Sequence, residues 1–223
     1  DFAKVAVKNH DNGLLNPKAH MQKKITIDDV MNSPVVASPL KLYDCCPFSD
    51  GASSVVLCSE KFAKAHGGDY VEVIGSGRGG SPAALQGREH LTTIPSTKIA
   101  AEAAYNMAGI TAKDIDFAEV HDCFTIAEVV DTEDLGFFDK GQGIQAIRED
   151  RTKLNSDISI NPSGGLKSKG HPIGATGVGQ VVEVYDQLTG NAGARTVKNA
   201  KIGLTHNFGA TGASCAVHVF QSV

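Results

Sequence analysis

The chain has 223 residues, 41% of them hydrophobic, with 21 basic against 25 acidic side chains and a net charge of −4. That length supports one large domain or two small ones without disulfide staples, and the mild acidity argues against the basic stripe of a nucleic-acid binder. No apolar run approaches the ~18 residues of a membrane span. No secretory leader is evident, and a start at Asp1, without Met or helix cap, reads as a piece of a longer chain.

Glycine is abundant, at 24 residues, so the backbone is expected to turn tightly or approach its neighbours closely. The five cysteines, Cys45, Cys46, Cys58, Cys123 and Cys215, are odd in number and form no CxxC pair. A disulfide framework or a structural zinc module is therefore not expected, and the setting reads as reducing and intracellular.

Residues 1–42 carry the loop punctuation Asn12-Gly13, Asn16-Pro17, Ser33-Pro34 and Ser38-Pro39, and are expected to form a covering segment with one short helix at 26–31. Ser53–Cys58 is a short apolar run that reads as a buried strand, followed by a helix capped by Ser59 and stopped by Gly67. A domain boundary is placed there, giving segments 1–42, 43–66 and 67–223. Beyond it, strand and helix signals alternate. Val71–Ile74 is a strand leading into a glycine-rich loop at Gly75–Gly80. Ser96 is expected to cap a helix facing the core with Ile99, Ala103 and Met107, ending at Gly109. A strand from Ile115 to Val120 ends in His121-Asp122-Cys123-Phe124 and precedes a helix through Val130. Ile158–Ile160 is a strand, and a glycine-rich loop follows it. The next helix shows Val178, Val181, Tyr185 and Leu188 on one face, and Lys201–His206 and Ser214–Phe220 are the last strands. This alternation predicts an α/β layer structure with a largely parallel sheet, with chemistry at the strand ends.

Three such ends carry reactive groups: His121-Asp122-Cys123-Phe124, Gly170-His171-Pro172-Ile173-Gly174 and His206-Asn207-Phe208-Gly209. Pro172 suits a first helical turn, so His171 would sit at the positive end of a helix and stay neutral, able to accept a thiol proton. Gly174 and Gly177 leave room for a ligand or another backbone. Cys123 follows its strand and opens a helix, a position expected to lower its thiol pKa. Asp122 reads as a loop or cap carboxylate. Cys58 and Cys215 read as core residues, and packing is the favoured reading for Cys45 and Cys46. A zinc site from His121, Cys123, His171 and His206 fits by ligand type and is the weakest alternative.

The run Asn161-Pro162-Ser163-Gly164-Gly165-Leu166-Lys167-Ser168-Lys169-Gly170-His171-Pro172-Ile173-Gly174-Ala175-Thr176-Gly177 resembles the glycine-rich histidine motif of the thiolase family. His121-Asp122-Cys123-Phe124 resembles the version in sterol carrier protein-type thiolases and related archaeal and bacterial acetyl-CoA acetyltransferases, where most thiolases have Asn-Glu-Ala-Phe. Asp50-Gly51-Ala52 is similar to the family's Asn-Asp-Gly-Ala segment, and Lys8-Asn9-His10 with Asn16-Pro17 matches the preceding loop region. The resemblance covers essentially the whole chain.

It implies the C-terminal βαβαβαββ half of a layered αβαβα thiolase fold. In that frame residues 1–42 are the end of the loop domain, and 43–66 the last strand and linker helix of the N-terminal domain. The implied activity is Claisen condensation of acyl-CoA, or thiolytic cleavage of 3-oxoacyl-CoA, in lipid metabolism. CoA thioesters are the substrates, and no separate cofactor or metal is implied. His171 would activate a nucleophilic cysteine and help form an oxyanion hole, His121 would supply or support the other donor there, and Cys123 would be the acid/base thiol. Most thiolases carry Cys-x-Gly where this chain has Asn207-Phe208-Gly209; Gly209 keeps the backbone N–H of an oxyanion hole. Cys46, Pro47, Asn207 and Phe124 are the implied substrate contacts. No cysteine here stands in the nucleophile's context, so that residue is expected in an N-terminal part outside these residues. The resemblance also implies a dimer or tetramer, an OB-fold partner as in archaeal assemblies, and a cytoplasmic, peroxisomal or mitochondrial location. A CoA-thioester-binding scaffold without catalysis and a thiolase-like retro-aldolase are the alternatives.

Overall fold

The computed structural model describes residues 1–223. Helix α1 (Phe2–Leu14) opens the chain, followed by α2 (Ile27–Asn32) and a small hairpin of β1 (Val35–Ala37) and β2 (Leu40–Lys41). Thr26 caps α2 in a reciprocal pair with Asp29, the capping-box arrangement. Helix α1 was not expected, and residues 1–42 are more than a cover: Val5 packs with Val129 and Ile147, and Ala6 with Ile25 and Val30. The buried side of α1 also carries Lys8, Asn9, His10 and Asn12, so the periodic apolar signal of an amphipathic helix is broken by polar residues that point inward.

Ser53–Cys58 forms no strand. Val56 and Leu57 are 88% and 80% exposed, Cys58 is exposed rather than core, and no strand of this chain lies beside the run to complete a ladder. Helix α3 (Glu60–His66) follows with the expected Ser59 cap on the Phe62 N–H and Gly67 at its end.

The main sheet contains β3 (Val71–Gly80), then α4 (Pro95–Ala108), β4 (Phe117–Glu119), α5 (Thr125–Asp134), α6 (Gly143–Arg148) and β5 (Ser159–Ile160). Next come α7 (Gly165–Ser168), α8 (Thr176–Leu188), β6 (Ile202–Gly209) and β7 (Ser214–Ser222). Strand order is β3-β7-β6-β4-β5. The sheet is mixed: β4 runs parallel to β5 and β6, while β7 is antiparallel to both β6 and β3. The expected largely parallel sheet holds only for β6, β4 and β5, because β6 and β7 are joined by a tight hairpin instead of a helical crossover.

Gly75–Gly80 is strand, not loop. A Cβ on Gly75, Gly77 or Gly79 would stand 2.4, 1.9 or 2.0 Å from the carbonyl oxygens of Ala104, Ala100 and Ser96. The alternate glycines therefore let α4 lie directly on the strand. Its buried face is Ser96, Thr97, Ala100, Ala101 and Ala104, and the bulkier Ile99 and Met107 are exposed. Small residues win that face because larger ones cannot fit against the glycine strand. Ser96 donates to the Gly212 carbonyl at 2.7 Å, and Ile94 takes the N-cap position.

The larger core cluster joins α4 to Ala118, Val120, Ile160, Leu204, Val217 and Val219 of the sheet. On the other face Phe117, Val184, Val197 and Phe220 pack together, with Val181 and Leu188 of α8 partly buried against them. No helix is long and apolar enough to cross a membrane.

Candidate active site

The reactive segments are all strand-end or pre-helical turns. Strand β4 delivers His121, Asp122 and Cys123 to the sheet edge above α5. Asp122 is fully buried and accepts from the Leu166 N–H at 2.7 Å, the Lys167 N–H at 3.4 Å and Asn9 Nδ2 at 2.8 Å. It thus ties the start of α7 and α1 to β4, the structural carboxylate that its position suggested. Burial, then the charge of Glu128, pushes its carboxyl up to about 6.

Cys123 does not have the lowered thiol pKa expected of a helix start. Phe124 takes the N-cap of α5, and burial, followed by the charge of Asp131, pushes the Cys123 thiol up to about 12, with Lys167 opposing. Desolvation outweighs the helix dipole here because a buried thiolate loses its water shell. Lys167, itself buried, donates to the Asp44 carbonyl and to the Cys123 carbonyl.

The second segment begins at Gly170, whose φ of +111° leaves the space that Ser49 Oγ fills, 2.7 Å from where a Cβ would stand. Ser49 Oγ accepts from the His171 N–H at 3.1 Å. Pro172 lies in the turn before α8 instead of its first turn, and its carbonyl accepts from the Ala175 and Thr176 N–H groups. The Thr176 hydroxyl lies 3.0 Å from that same carbonyl and 2.8 Å from His171 Nδ1, and so holds the ring through Nδ1. A neutral His171 with its proton on Nδ1 would show the Nε2 lone pair. Burial, then the nearby Lys169 charge, lowers its pKa.

Strand β6 brings Asn207 and Gly209. Asn207 Oδ1 lies 3.1 Å from His121 Nδ1, and Asn207 Nδ2 donates to Gln180 Oε1. The His121 and His171 rings meet edge to face, 5.0 Å apart and at 86°, and the Phe208 ring centroid lies 4.7 Å from that of His121. Burial lowers the His121 pKa to about 4.

Cys46, His121, Cys123, Phe124, His171, Asn207 and Gly209 all line one cavity of about 610 Å³. Pro47 does not line it, and neither does Cys45. Cys46 reaches the wall because its N–H donates to the Cys123 carbonyl at 2.9 Å. Among His121, Cys123, His171 and His206, no three side chains stand close enough to hold a metal ion.

A polar layer beneath the cavity was not foreseen. His206 is fully buried, its Nε2 2.9 Å from Thr97 Oγ1 and its Nδ1 3.4 Å from the His121 backbone N–H. Burial, then the neighbouring His121, lowers its pKa to about 3. Thr97 in turn donates to Cys215 Sγ at 3.7 Å. Further in, Glu128 Oε1 forms an ion pair with Lys8 Nζ at 2.8 Å, while Oε2 accepts from Asn9 Nδ2 at 2.8 Å and Asn161 Nδ2 at 2.9 Å. The sequence signal for this network was the cluster of polar residues in α1.

Comparison with known proteins agrees with this architecture. A family model described as thiolase C-terminal domain-like matches residues 77–222. An acetyl-CoA acetyltransferase of Methanothermobacter thermautotrophicus is 48% identical over 220 residues, covering 99% of this chain and 57% of that protein. An acetyl-CoA acetyltransferase of Methanocaldococcus jannaschii is 38% identical over 222 residues, covering 95% of this chain and 56% of the relative. Sterol carrier protein 2 of Bos taurus is 39% identical over 217 residues, covering 95% and 40%. The chain thus spans about half the length of the curated relatives it matches. A solved structure of an Ltp2-ChsH2(DUF35) aldolase superposes with a TM-score of 0.87 at 23% identity, over 99% of this chain and 58% of that one, a likeness of fold. With its family model matched over 77–222, this chain belongs to the thiolase C-terminal domain-like family.

Proposed function

We propose that these residues form the acid/base and substrate-positioning half of a thiolase-type acyltransferase acting on CoA thioesters. The nucleophilic cysteine would come from a part of the protein outside this sequence. The observation that carries the reading is the convergence of His121, Cys123, His171 and Asn207, from separate segments, on one cavity of about 610 Å³, a size suited to a small-molecule site.

In the cleavage direction His171 Nε2 accepts the proton of the nucleophilic thiol, and the thiolate adds to the C3 carbonyl of a 3-oxoacyl-CoA. The C2–C3 bond breaks and its electron pair moves onto C2 as the enolate of acetyl-CoA. Cys123 S–H protonates C2. Incoming CoA then takes the acyl group from the nucleophile, its thiol proton restoring Cys123, and His171 returns its proton to the released nucleophile thiolate. Condensation is the reverse. A thiol held protonated to about 12 is well suited to the donor step, because it keeps its proton until a carbon base forms beside it. The Gly209 N–H would serve an oxyanion hole on the cavity rim, and Cys46, Phe124 and Asn207 would contact the thioester arm. The same reading includes a dimer or tetramer and an OB-fold partner.

The test is exchange of labelled CoA into acyl-CoA by the complete protein, which reports acylation alone. Exchange should proceed in wild type and slow by about 10²–10⁴-fold in His171→Ala, the usual worth of a general base. Unchanged exchange in His171→Ala removes that role. Carbon–carbon cleavage that consumes no CoA, without any exchange, would point to the retro-aldol alternative instead.

A further inference from the structure

One residue of the cavity wall has no part in the chemistry above. Arg78 lines the same cavity as His121, Cys123 and His171, and it is the sole lining residue with a permanent charge. Its placement follows from strand alternation. Gly77 and Gly79 face α4, where an added Cβ would meet the Ala100 and Ser96 carbonyl oxygens, so Arg78 between them projects from the opposite face. The register agrees: Arg78 stands opposite Ala216 on β7, and Ala216 opposite Asn207 on β6. Asn207 also turns away from α4, since its neighbour His206 is the residue that reaches Thr97. Arg78, Ala216 and Asn207 therefore form one cross-strand row along the cavity wall.

No carboxylate lines the cavity, and Arg78 enters none of the ion pairs of this chain. A cation left unpaired on a cavity wall attracts an anionic group of the ligand. Its position selects which group. In the strand order β3-β7-β6-β4, Arg78 stands three strands from the end of β4, a backbone separation of about 14 Å at ~4.8 Å per strand. Cys46 and Phe124, proposed above for the thioester arm, belong to the β4 side. The wall between the two sides is made of Gly209, Ala210, Ser214 and Ala216, small residues that leave width for a chain.

We propose that Arg78 is a specificity-determining residue whose guanidinium receives a carboxylate at the far end of the acyl chain, so that the favoured substrates are 3-oxoacyl-CoA thioesters of dicarboxylic acids. That the ligand is a CoA thioester rests on the thiolase reading; the charge at its acyl end rests on Arg78. The guanidinium fork takes a carboxylate through two parallel N–H···O bonds, whereas a methyl-ended chain leaves the cation without a partner.

The experiment compares kcat/KM of the complete protein for thiolysis of 3-oxohexanedioyl-, 3-oxooctanedioyl- and 3-oxodecanedioyl-CoA, each against the 3-oxoacyl-CoA of the same length. Wild type should favour the dioyl thioester, at the length that reaches Arg78, by about ten- to a hundredfold, the worth of a hydrogen bond to a charged group. Arg78→Gln should abolish that ratio, and Arg78→Lys, which keeps the charge without the fork, should retain part of it. Arg78 is exposed on an edge strand, so these substitutions leave the core in place. No preference in wild type at any length overturns the proposal. So does an equal loss on both kinds of substrate in Arg78→Gln, the result expected if the cation held the phosphates of CoA or served the fold alone. Calorimetric binding of octanedioyl-CoA and octanoyl-CoA reads the same discrimination without carbon–carbon cleavage. An Arg78-dependent preference in binding, in a protein without thiolysis, keeps this inference and removes the thiolase reading; thiolysis without the preference does the reverse.

Discussion

The Cys123 thiol lines the cavity and is half-buried; burial first, and then the charge of Asp131, disfavours its ionisation. Asp131 is itself fully buried, neither oxygen has a hydrogen-bond partner, and Oδ2 lies 3.7 Å from His206 Nδ1. Burial and the neighbouring carboxylates hold its own carboxyl well above the ordinary range. On the proposed reading this protonated state suits Cys123 to donate a proton instead of acting as a ready nucleophile.

Alkylation of Cys123 by iodoacetamide, followed peptide by peptide by mass spectrometry, should therefore be slow at pH 8. It should rise about tenfold per pH unit toward the thiol's pKa of about 12, since only the thiolate reacts. A plateau below pH 9 would show a low-pKa thiol and contradict the assignment.

His206 should make the fold acid-sensitive. Its folded pKa, about 3, lies below the ordinary value, so the native state binds fewer protons than the unfolded chain between about 6.5 and 3. Stability from this group is full above that window and falls as pH drops through it, by up to about 1.4 kcal/mol per pH unit. Asp122, raised to about 6, works the other way: the native state binds its proton more tightly, which offsets part of the loss as pH falls. The clean readout is the difference in urea unfolding free energy between pH 6.5 and 4.5. His206→Gln should lose less stability over that interval than wild type, whereas parallel slopes would show that His206 does not titrate as described.

Gly77→Ala should destabilise the sheet by about 1–3 kcal/mol, the range for overpacking, because the new methyl would stand 1.9 Å from the Ala100 carbonyl oxygen. Thermal melting compared with a Gly174→Ala control, where a Cβ meets nothing within 4 Å, checks it. Equal melting temperatures would mean that β3 and α4 do not lie in contact.

That glycine run also shows where sequence reading failed. Alternation of glycine with other residues looks like punctuation, yet here it is the period of a strand whose inner face is covered by helix backbone. The same close contact turned the bulkier Ile99 and Met107 of α4 outward and made alanine and serine its buried face. Helix α1 was missed because Lys8 and Asn9 serve the Glu128 and Asp122 network instead of an apolar core. Ser53–Cys58 has the composition of a strand, but a strand exists only with a neighbour, which sequence cannot supply. The residues that line the cavity were legible for the opposite reason. Histidine, cysteine and asparagine flanked by glycine and proline after apolar runs mark strand ends, where side chains from separate segments meet. Thr97, Gln180 and His206 were hidden because their role lies in buried bonds formed only on folding.

The central claim is that Cys123 moves the α-proton while another cysteine carries the acyl group. It is tested most directly by measuring CoA exchange and 3-oxoacyl-CoA thiolysis side by side in Cys123→Ala of the complete protein. The account predicts exchange close to wild type and thiolysis reduced by about 10²–10⁴-fold. Equal loss of both reactions, or thiolysis that survives, would contradict it.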